Sequence, residues 1–321
     1  MASSNNNKIY SRSLSYYAWQ RLKKNRLAMF GLFMIGICSI ISLLGYLITP
    51  DSTPDCNIQH PELNIKQPGF EVQMLKSKKN QESQAVGLFE KIIAGEASDY
   101  SYIPFYRWEF EDNDIIVEGY TGLKSNVGPK IRFNVADVIY AIDYNKPVVN
   151  DSLNSTMKFY QFGSSQLITK SINELRETVE REVIITKKYY LGTDRLGRDM
   201  LSRLMIGTRV SLFVGFVAVF ISFIIGVFLG AVSGFFRGWV DDLIMWLINV
   251  IWSIPTLLLV IAITLALGKG LIQVFVAVGL TMWVDVARVV RGQTLSVREQ
   301  EFVEAGRALG FNNLRLIFKH V

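Results

Sequence analysis

Four stretches of the chain carry no charged residue: 28–49, with 22 residues, 210–236, with 27, 243–268, with 26, and 270–284, with 15. The first three exceed the roughly 20 apolar residues that cross a hydrocarbon core of about 30 Å. The fourth reaches across when its apolar stem continues through Val286, Ala287, Val289 and Val290. The pattern predicts four transmembrane helices, the first at 28–49 and the others within 210–290.

Between the first and second runs the pattern becomes that of a water-exposed domain, residues 50–190. Within it, KIRFNVADVIYAI (130–142) alternates as a strand does, and QLITKSINELRETVERE (166–182) reads as an amphipathic helix. A small α+β domain is expected. Its only histidine is His60 and its carboxylates are scattered among lysines. That favours a structural or contact role over catalysis, because perturbed sites need clustered titratable groups. The next segment, LGTDRLGRDMLSRLMIGTR (191–209), reads as an amphipathic helix at the bilayer surface. Thr193 or Asp194 can cap its start. Asp194 with Arg198, and Asp199 between Arg195 and Arg203, have pairing distance along one face. Leu196, Met200, Leu201 and Leu204 turn toward lipid or neighbouring helices.

The net charge of +6 matters through its placement. Lys8, Arg12, Arg21, Lys23, Lys24 and Arg26 precede the first span without any acidic residue, which holds the N-terminus (1–27) in the cytoplasm. A cleaved signal peptide fits less well: the apolar run is long and no small-x-small site ends it. Counting spans then puts 50–190 outside, 237–242 in a short inner loop, and Gly268-Lys269-Gly270 in an outer turn. It delivers 291–321 to the cytoplasm, where Arg291, Arg298, Arg307, Arg315 and Lys319 meet the same rule. With the charge so placed, nucleic acid is not expected as a partner. Cys38 lies in the first span and Cys56 beyond it, so neither a disulfide nor a metal site is expected.

Inside the membrane, Gly226, Gly230, Gly234 and Gly238 form a four-residue ladder that lets another helix approach closely. Pro255 removes a backbone hydrogen bond and kinks the third span. The kink suits a pathway-lining helix and equally one shaped only for packing. Asp285 could serve a proton relay, but Arg288 and Arg291 one and two turns later favour a paired residue at the inner boundary.

The chain ends in VREQEFVEAGRALGFNNLRLIFKHV. A helix through Arg307 stops at Gly310, and Asn312 or Asn313 can cap a second short helix. A helical hairpin this short is marginal alone and needs a partner. Glu304-Ala305-Gly306 followed by Gly310 resembles the EAA loop of ABC importer permeases, with Gly306 where the pattern has a second alanine. Residues 287–310 and the Gly-Thr-Asp and Gly-Arg-Asp elements of 191–212 resemble the peptide and nickel branch of that family.

The resemblance implies an all-α polytopic membrane bundle, the transmembrane domain of a type I ABC importer, here with the α+β extracytoplasmic insertion. It implies that Glu304, Ala305, Gly306, Arg307, Gly310 and Phe311 form a coupling corner that docks on an ABC ATPase subunit. Gly192, Thr193, Asp194, Gly197, Arg198 and Asp199 would form an outer collar. It further implies a second permease subunit, an extracytoplasmic solute-binding protein, surrounding membrane lipid and a bacterial inner-membrane location. No G-x-x-x-x-G-K-[ST] motif occurs, so the chain is not expected to be an enzyme and carries no cofactor. ATP and magnesium would bind the partner ATPase. The cargo stays open among dipeptide, oligopeptide, glutathione and nickel. Two departures stand out: the family's loop continues into further spans where this sequence stops at Val321, so a truncated chain is expected, and the 50–190 insertion is long. The rival readings are a membrane-anchored receptor or assembly factor with 50–190 as ligand domain, and an exporter, which an EAA-type loop disfavours.

Overall fold

The computed structural model describes residues 14–81, 86–122, 128–151, 155–164, 166–268 and 270–320. Lys8, Arg12, Lys269 and Val321 lie outside the described residues. The chain forms two compact units, Met1–Arg209 and Val210–Val321.

The first unit opens with α1 (Leu14–Lys24) and α2 (Arg26–Ile48). Asn25 separates them, and its side-chain oxygen accepts the amides of Leu27 and Ala28 at 3.1 and 3.2 Å. This satisfies donors that a helix start leaves unpaired. Next come β1 (Phe70–Lys78), α3 (Leu88–Ala94), β2 (Tyr100–Glu111), β3 (Asp114–Gly119), β4 (Lys130–Asn134) and α4 (Val135–Tyr140). They are followed by β5 (Val149–Asp151), β6 (Thr156–Tyr160), β7 (Leu167–Ser171), α5 (Ile172–Thr178), a π-helical turn at Val179–Val183, and β8 (Ile184–Tyr189). Five strands make an antiparallel sheet in the order β4-β3-β2-β1-β8, and three make a second in the order β5-β6-β7. Leu75, Phe105, Ile115 and Val117 of the larger sheet share one core with Met157 and Phe159 of the smaller one, Val135 and Val138 of α4, and Leu175 of α5. In β3 the buried and half-buried positions alternate strictly, the period of a strand with one face on a core.

Two elements differ from the sequence expectation. The strand in 130–142 ends at Asn134, whose side chain accepts the Ala136 amide at 3.0 Å and starts α4. In 166–182 the first part pairs with β6 as a strand, so the helix begins only at Ile172. Ladder hydrogen bonds to a neighbour override a local helical pattern.

Among the described residues, three helices are long and apolar enough to cross a membrane: α2, α6 (Met200–Phe236) and α9 (Leu271–Arg298). Between the last two lie α7 (Gly238–Ser253) and α8 (Thr256–Leu267), which pass the same test only together and are bent by 97°. The third run is therefore two helices that turn sharply at Pro255 rather than one kinked helix. Pro255 lacks an amide to donate, and Ile254 before it is pushed into extended backbone (φ −92°, ψ 129°), so α7 stops there. Nor is 237–242 a loop: Arg237 and Gly238, left-handed at φ 56° and 57°, break the path, and α7 is counted from Gly238. Ile244 and Ile248 of α7 pack on Trp283, Val284 and Ala287 of α9. Two short helices, α10 (Glu301–Ala308) and α11 (Asn313–His320), complete the second unit.

Candidate functional site

In the second unit the corner between α10 and α11 is closed by two nested hydrogen bonds. The Phe311 amide donates to the Gly306 carbonyl at 3.1 Å, and the Gly310 amide to the Arg307 carbonyl at 2.9 Å. This bond pair ends a helix when the following residue is left-handed, and Gly310 sits at φ 77°. Asn312 then caps α11, its side-chain oxygen accepting the Arg315 amide at 2.8 Å.

The corner's inner side is packed. Val303 and Leu316 are fully buried against Phe235, with Val297, Phe311 and Ile317 around them. Gly306 lies under this contact: a Cβ there would stand 2.9 Å from Leu316 Cδ2 and 3.3 Å from Phe311 Cδ2. That crowding gives the third position of the Glu-Ala-Gly triplet a physical reason to be glycine. The guanidinium groups of Arg298 and Arg307 stand 5.7 and 5.5 Å from the Phe235 ring centre, and that of Arg315 lies 4.2 Å from Phe311. Arg298 also donates to the Phe235 carbonyl, and Arg237 pairs with Glu299. The outer side carries Glu304 and Ala305 with the exposed apolar side chains of Phe302, Leu309, Leu314 and Phe318. The corner therefore divides into a packed inner half and an uncovered outer half that mixes the exposed Glu301 and Glu304 with exposed apolar groups.

The ladder glycines are placed against α9. A Cβ at Gly226 would lie 2.6 Å from Val286 Cβ, one at Gly230 2.5 Å from the Ala287 carbonyl oxygen, and one at Gly234 2.8 Å from Thr294 Cβ. Gly279 of α9 reciprocates, 2.8 Å from Ile221 Cβ. Gly238 is not a rung; it follows the break at Arg237, with nothing within 4 Å. Pairing inside this unit also differs from the sequence reading of Asp285. Arg291 gives a two-pronged bond to Asp241 instead, Nε to Oδ1 and Nη2 to Oδ2 at 2.6 Å each. The Ser233 hydroxyl donates to the same carboxylate, and Arg288 turns to Asn249 and the Trp252 ring. A helical-spacing argument sees only partners on one helix, and Asp241 comes from α7.

In the first unit residues 191–199 are not helical; α6 begins at Met200. The segment instead clasps 60–66. Amides of His60, Ile65 and Thr193 donate to the carbonyls of Leu196, Asp194 and Lys66 at 3.0 to 3.1 Å. The Thr193 hydroxyl accepts the Lys66 amide at 2.8 Å and donates to the Leu63 carbonyl at 2.5 Å. Gly192 and Gly197 are left-handed, and a Cβ on Gly197 would overlap the His60 carbonyl, so no other residue fits that close approach. The helix cap is Asp199, which accepts the Ser202 amide at 3.0 Å and the Ser202 hydroxyl. Ser202 Oγ in turn accepts the Asp51 amide at 3.0 Å. Asp194 pairs with Arg198 at 2.7 Å and accepts the amides of Leu196 and Arg198. Burial alone would raise the Asp194 carboxyl, but these hydrogen bonds hold it below the usual carboxylate range.

Residues 226–321 match the family described as the binding-protein-dependent transport system inner membrane component. Residues 13–68 match the N-terminal transmembrane domain of oligopeptide transport permease C. Among curated relatives, the chain is 41% identical over 136 residues to the oligopeptide transport system permease protein OppC of Bacillus subtilis, which is 42% of this chain and 45% of that protein. It is 42% identical over 133 residues to the dipeptide permease DppC of the same organism, 41% of this chain and 42% of that one. It is 38% identical over 133 residues to the glutathione permease GsiD of Pectobacterium atrosepticum, 41% of this chain and 44% of that protein. The match to each thus spans less than half of that relative's length.

Proposed function

We propose that the chain serves as a membrane permease subunit of an ATP-driven, binding-protein-dependent importer and forms part of the pathway for peptides or similar small solutes. The observation that carries the reading is the corner at Glu304 to Phe311: a tight turn, packed from within by Gly306 and Leu316, whose outer half leaves Glu304 uncovered beside exposed apolar side chains. Such a surface fits a groove on a separate protein that supplies basic or amide groups to Glu304 and apolar walls around it. The partner in this reading is an ABC ATPase subunit, which binds ATP and magnesium; its strokes move the corner and rock the apolar helices. A second permease subunit completes the pathway, and a solute-binding protein delivers cargo. The basic N-terminus and the corner share the cytoplasmic side, and 50–190 faces outward, in accord with the distribution of Lys and Arg. Matches to relatives named for oligopeptide, dipeptide and glutathione support a peptide-like cargo. A receptor with 50–190 as its ligand domain leaves the corner without a role.

The test is co-purification with the ATPase subunit. Glu304→Lys changes an exposed side chain and leaves the packed half of the corner intact, so it should release the ATPase. Gly310→Pro, which cannot hold φ 77°, should do the same. An ATPase that stays bound to both variants overturns the docking assignment. Uptake of labelled peptide into vesicles only when binding protein is added sets the direction; outward movement overturns import.

A further inference from the structure

α3 is a helix with no buried residue. Its sequence, LFEKIIA, places Leu88 over Ile92 and Phe89 over Ile93, pairs four apart that make one apolar face. Leu88, Phe89 and Ile93 are 74%, 83% and 64% exposed, although the domain beside them has a well-filled core. A seven-residue helix does not persist alone in water, so something holds it. At its C-terminal end the Arg209 guanidinium donates to the Ile92 and Ile93 carbonyls at 2.8 and 2.9 Å. The Glu96 amide donates to the Ser52 carbonyl at 2.9 Å, and Lys91 pairs with Glu96 at 2.5 Å.

These anchors fix its depth. Arg209 immediately precedes the charge-free run that starts at Val210, and its guanidinium lies 5.8 Å from the Tyr46 ring, within the last turn of α2. A Cβ on Gly95, just past α3, would stand 3.0 Å from that same ring. The helix thus sits beside the end of α2, whose Leu43, Leu44, Leu47 and Ile48 are themselves exposed apolar groups. The uncovered face of α3 continues a surface that lipid must cover.

We propose that α3 lies in the membrane interface, with Leu88, Phe89 and Ile93 sunk among the acyl chains and Glu90 toward water, tying the β-rich domain to the bilayer surface. The occupant is lipid because the face adjoins a spanning helix at the depth where its apolar run ends, and interfacial helices bury such a face about 5–10 Å deep. The assignment needs only that α2 crosses the membrane; it holds whichever side the domain occupies.

A fluorophore attached at residue 89 of the full chain in lipid nanodiscs tests it. Cys56 can stay, since it is fully buried and burial, helped by the nearby Asp51, pushes its thiol up to about 12; Cys38 is replaced by alanine. In that background, labels on Phe89→Cys and Ile93→Cys should be quenched more by lipids carrying a doxyl group near the head-group end of the chain than near the methyl end. Iodide in the water should quench them several-fold less than a label on Glu90→Cys. Labelling of Cys56 reports an opened fold at one site, and the other site then decides. Equal iodide quenching at 89, 93 and 90 overturns the proposal in favour of a water-exposed helix. Protection from both iodide and doxyl lipid overturns it in favour of a protein partner.

Discussion

Replacing Gly230 by valine tests whether the α6–α9 seam is held by close backbone approach. A Cβ there would stand 2.5 Å from the Ala287 oxygen, 2.9 Å from Val290 Cβ and 3.1 Å from Ala287 Cα, where ordinary contacts need about 3.5 Å or more. The helices must separate by about 1 Å. Such a gap forfeits a quarter to a half of each dispersion well of about 0.1–0.2 kcal/mol. In lipid, no hydrophobic drive compensates. Summed along the seam that Gly226 and Gly234 continue, with overpacking added, the cost is about 2–3 kcal/mol. Gly215 supplies the control, since it lies in the same helix with nothing within 4 Å of its Cβ position. Equilibrium unfolding of the purified chain in mixed micelles, titrated with a harsh detergent, should show Gly230→Val unfolding at lower detergent than Gly215→Val. Equal shifts for the two variants would refute the packing argument and leave only the intrinsic change in helix propensity.

Four further outcomes follow from the same contacts. Gly197→Ala should loosen the clasp by at least about 3 kcal/mol, from left-handed backbone cost plus overlap with the His60 carbonyl, and limited proteolysis should then cut within 60–66 or 191–199 faster. Leu316→Ala should cost about 2–4 kcal/mol as a cavity under a fully buried side chain, seen as early melting of α10 and α11 in hydrogen exchange. Asp241→Asn leaves the Arg291 fork without its counter-charge and should lower stability by about 2 kcal/mol; pairing it with Arg291→Met in a double-mutant cycle should recover part of the loss. Acidification should act through His60, which burial and then nearby Lys187 hold below 6.5 despite Glu62 and Asp51. The unfolded chain protonates first, so stability is complete above 6.5 and falls with pH below it, at most about 1.4 kcal/mol per pH unit. His60→Gln should flatten that slope in thermal melts, while Asp194, held low by Arg198, keeps its full contribution down to the usual carboxylate range and loses it as the pH falls on through that range toward its lowered folded value.

Long apolar runs were legible as helices because lipid imposes one length and one hydrogen-bonding solution on them. The corner was legible for a related reason: glycine at 310 and asparagine at 312 each have few physical uses at a helix end. Asp285 reads as paired with Arg288 or Arg291, one and two turns on, because spacing along one helix cannot see α7; the Arg291 fork lands on Asp241 fifty residues away. Residues 191–199 looked helical because Asp194 and Arg198 have helical spacing; they do pair, but across a turn that Gly192 and Gly197 permit. The bend at Pro255 was visible as a proline, yet its 97° size depends on packing that no local pattern encodes. In 166–182 the strand was hidden because only its partner β6 makes it one.

The β-rich domain leaves the chain's path and returns to it through adjacent, hydrogen-bonded strands: Phe70 of β1 faces Tyr189 of β8, and the Gly69 amide donates to the Tyr189 carbonyl at 2.9 Å. Its entry and exit are therefore only about 5 Å apart, a gap that one or two small residues bridge. In architectural terms the domain is a detachable cartridge. Splicing Gly69 to Tyr190 through such a bridge removes two sheets and their core while every clasp bond between 60–66 and 192–198 keeps both of its partners. A segment of this kind can be gained, lost or exchanged in one step with the clasp at the head of α6 intact, while Arg209 gives up its bonds to α3.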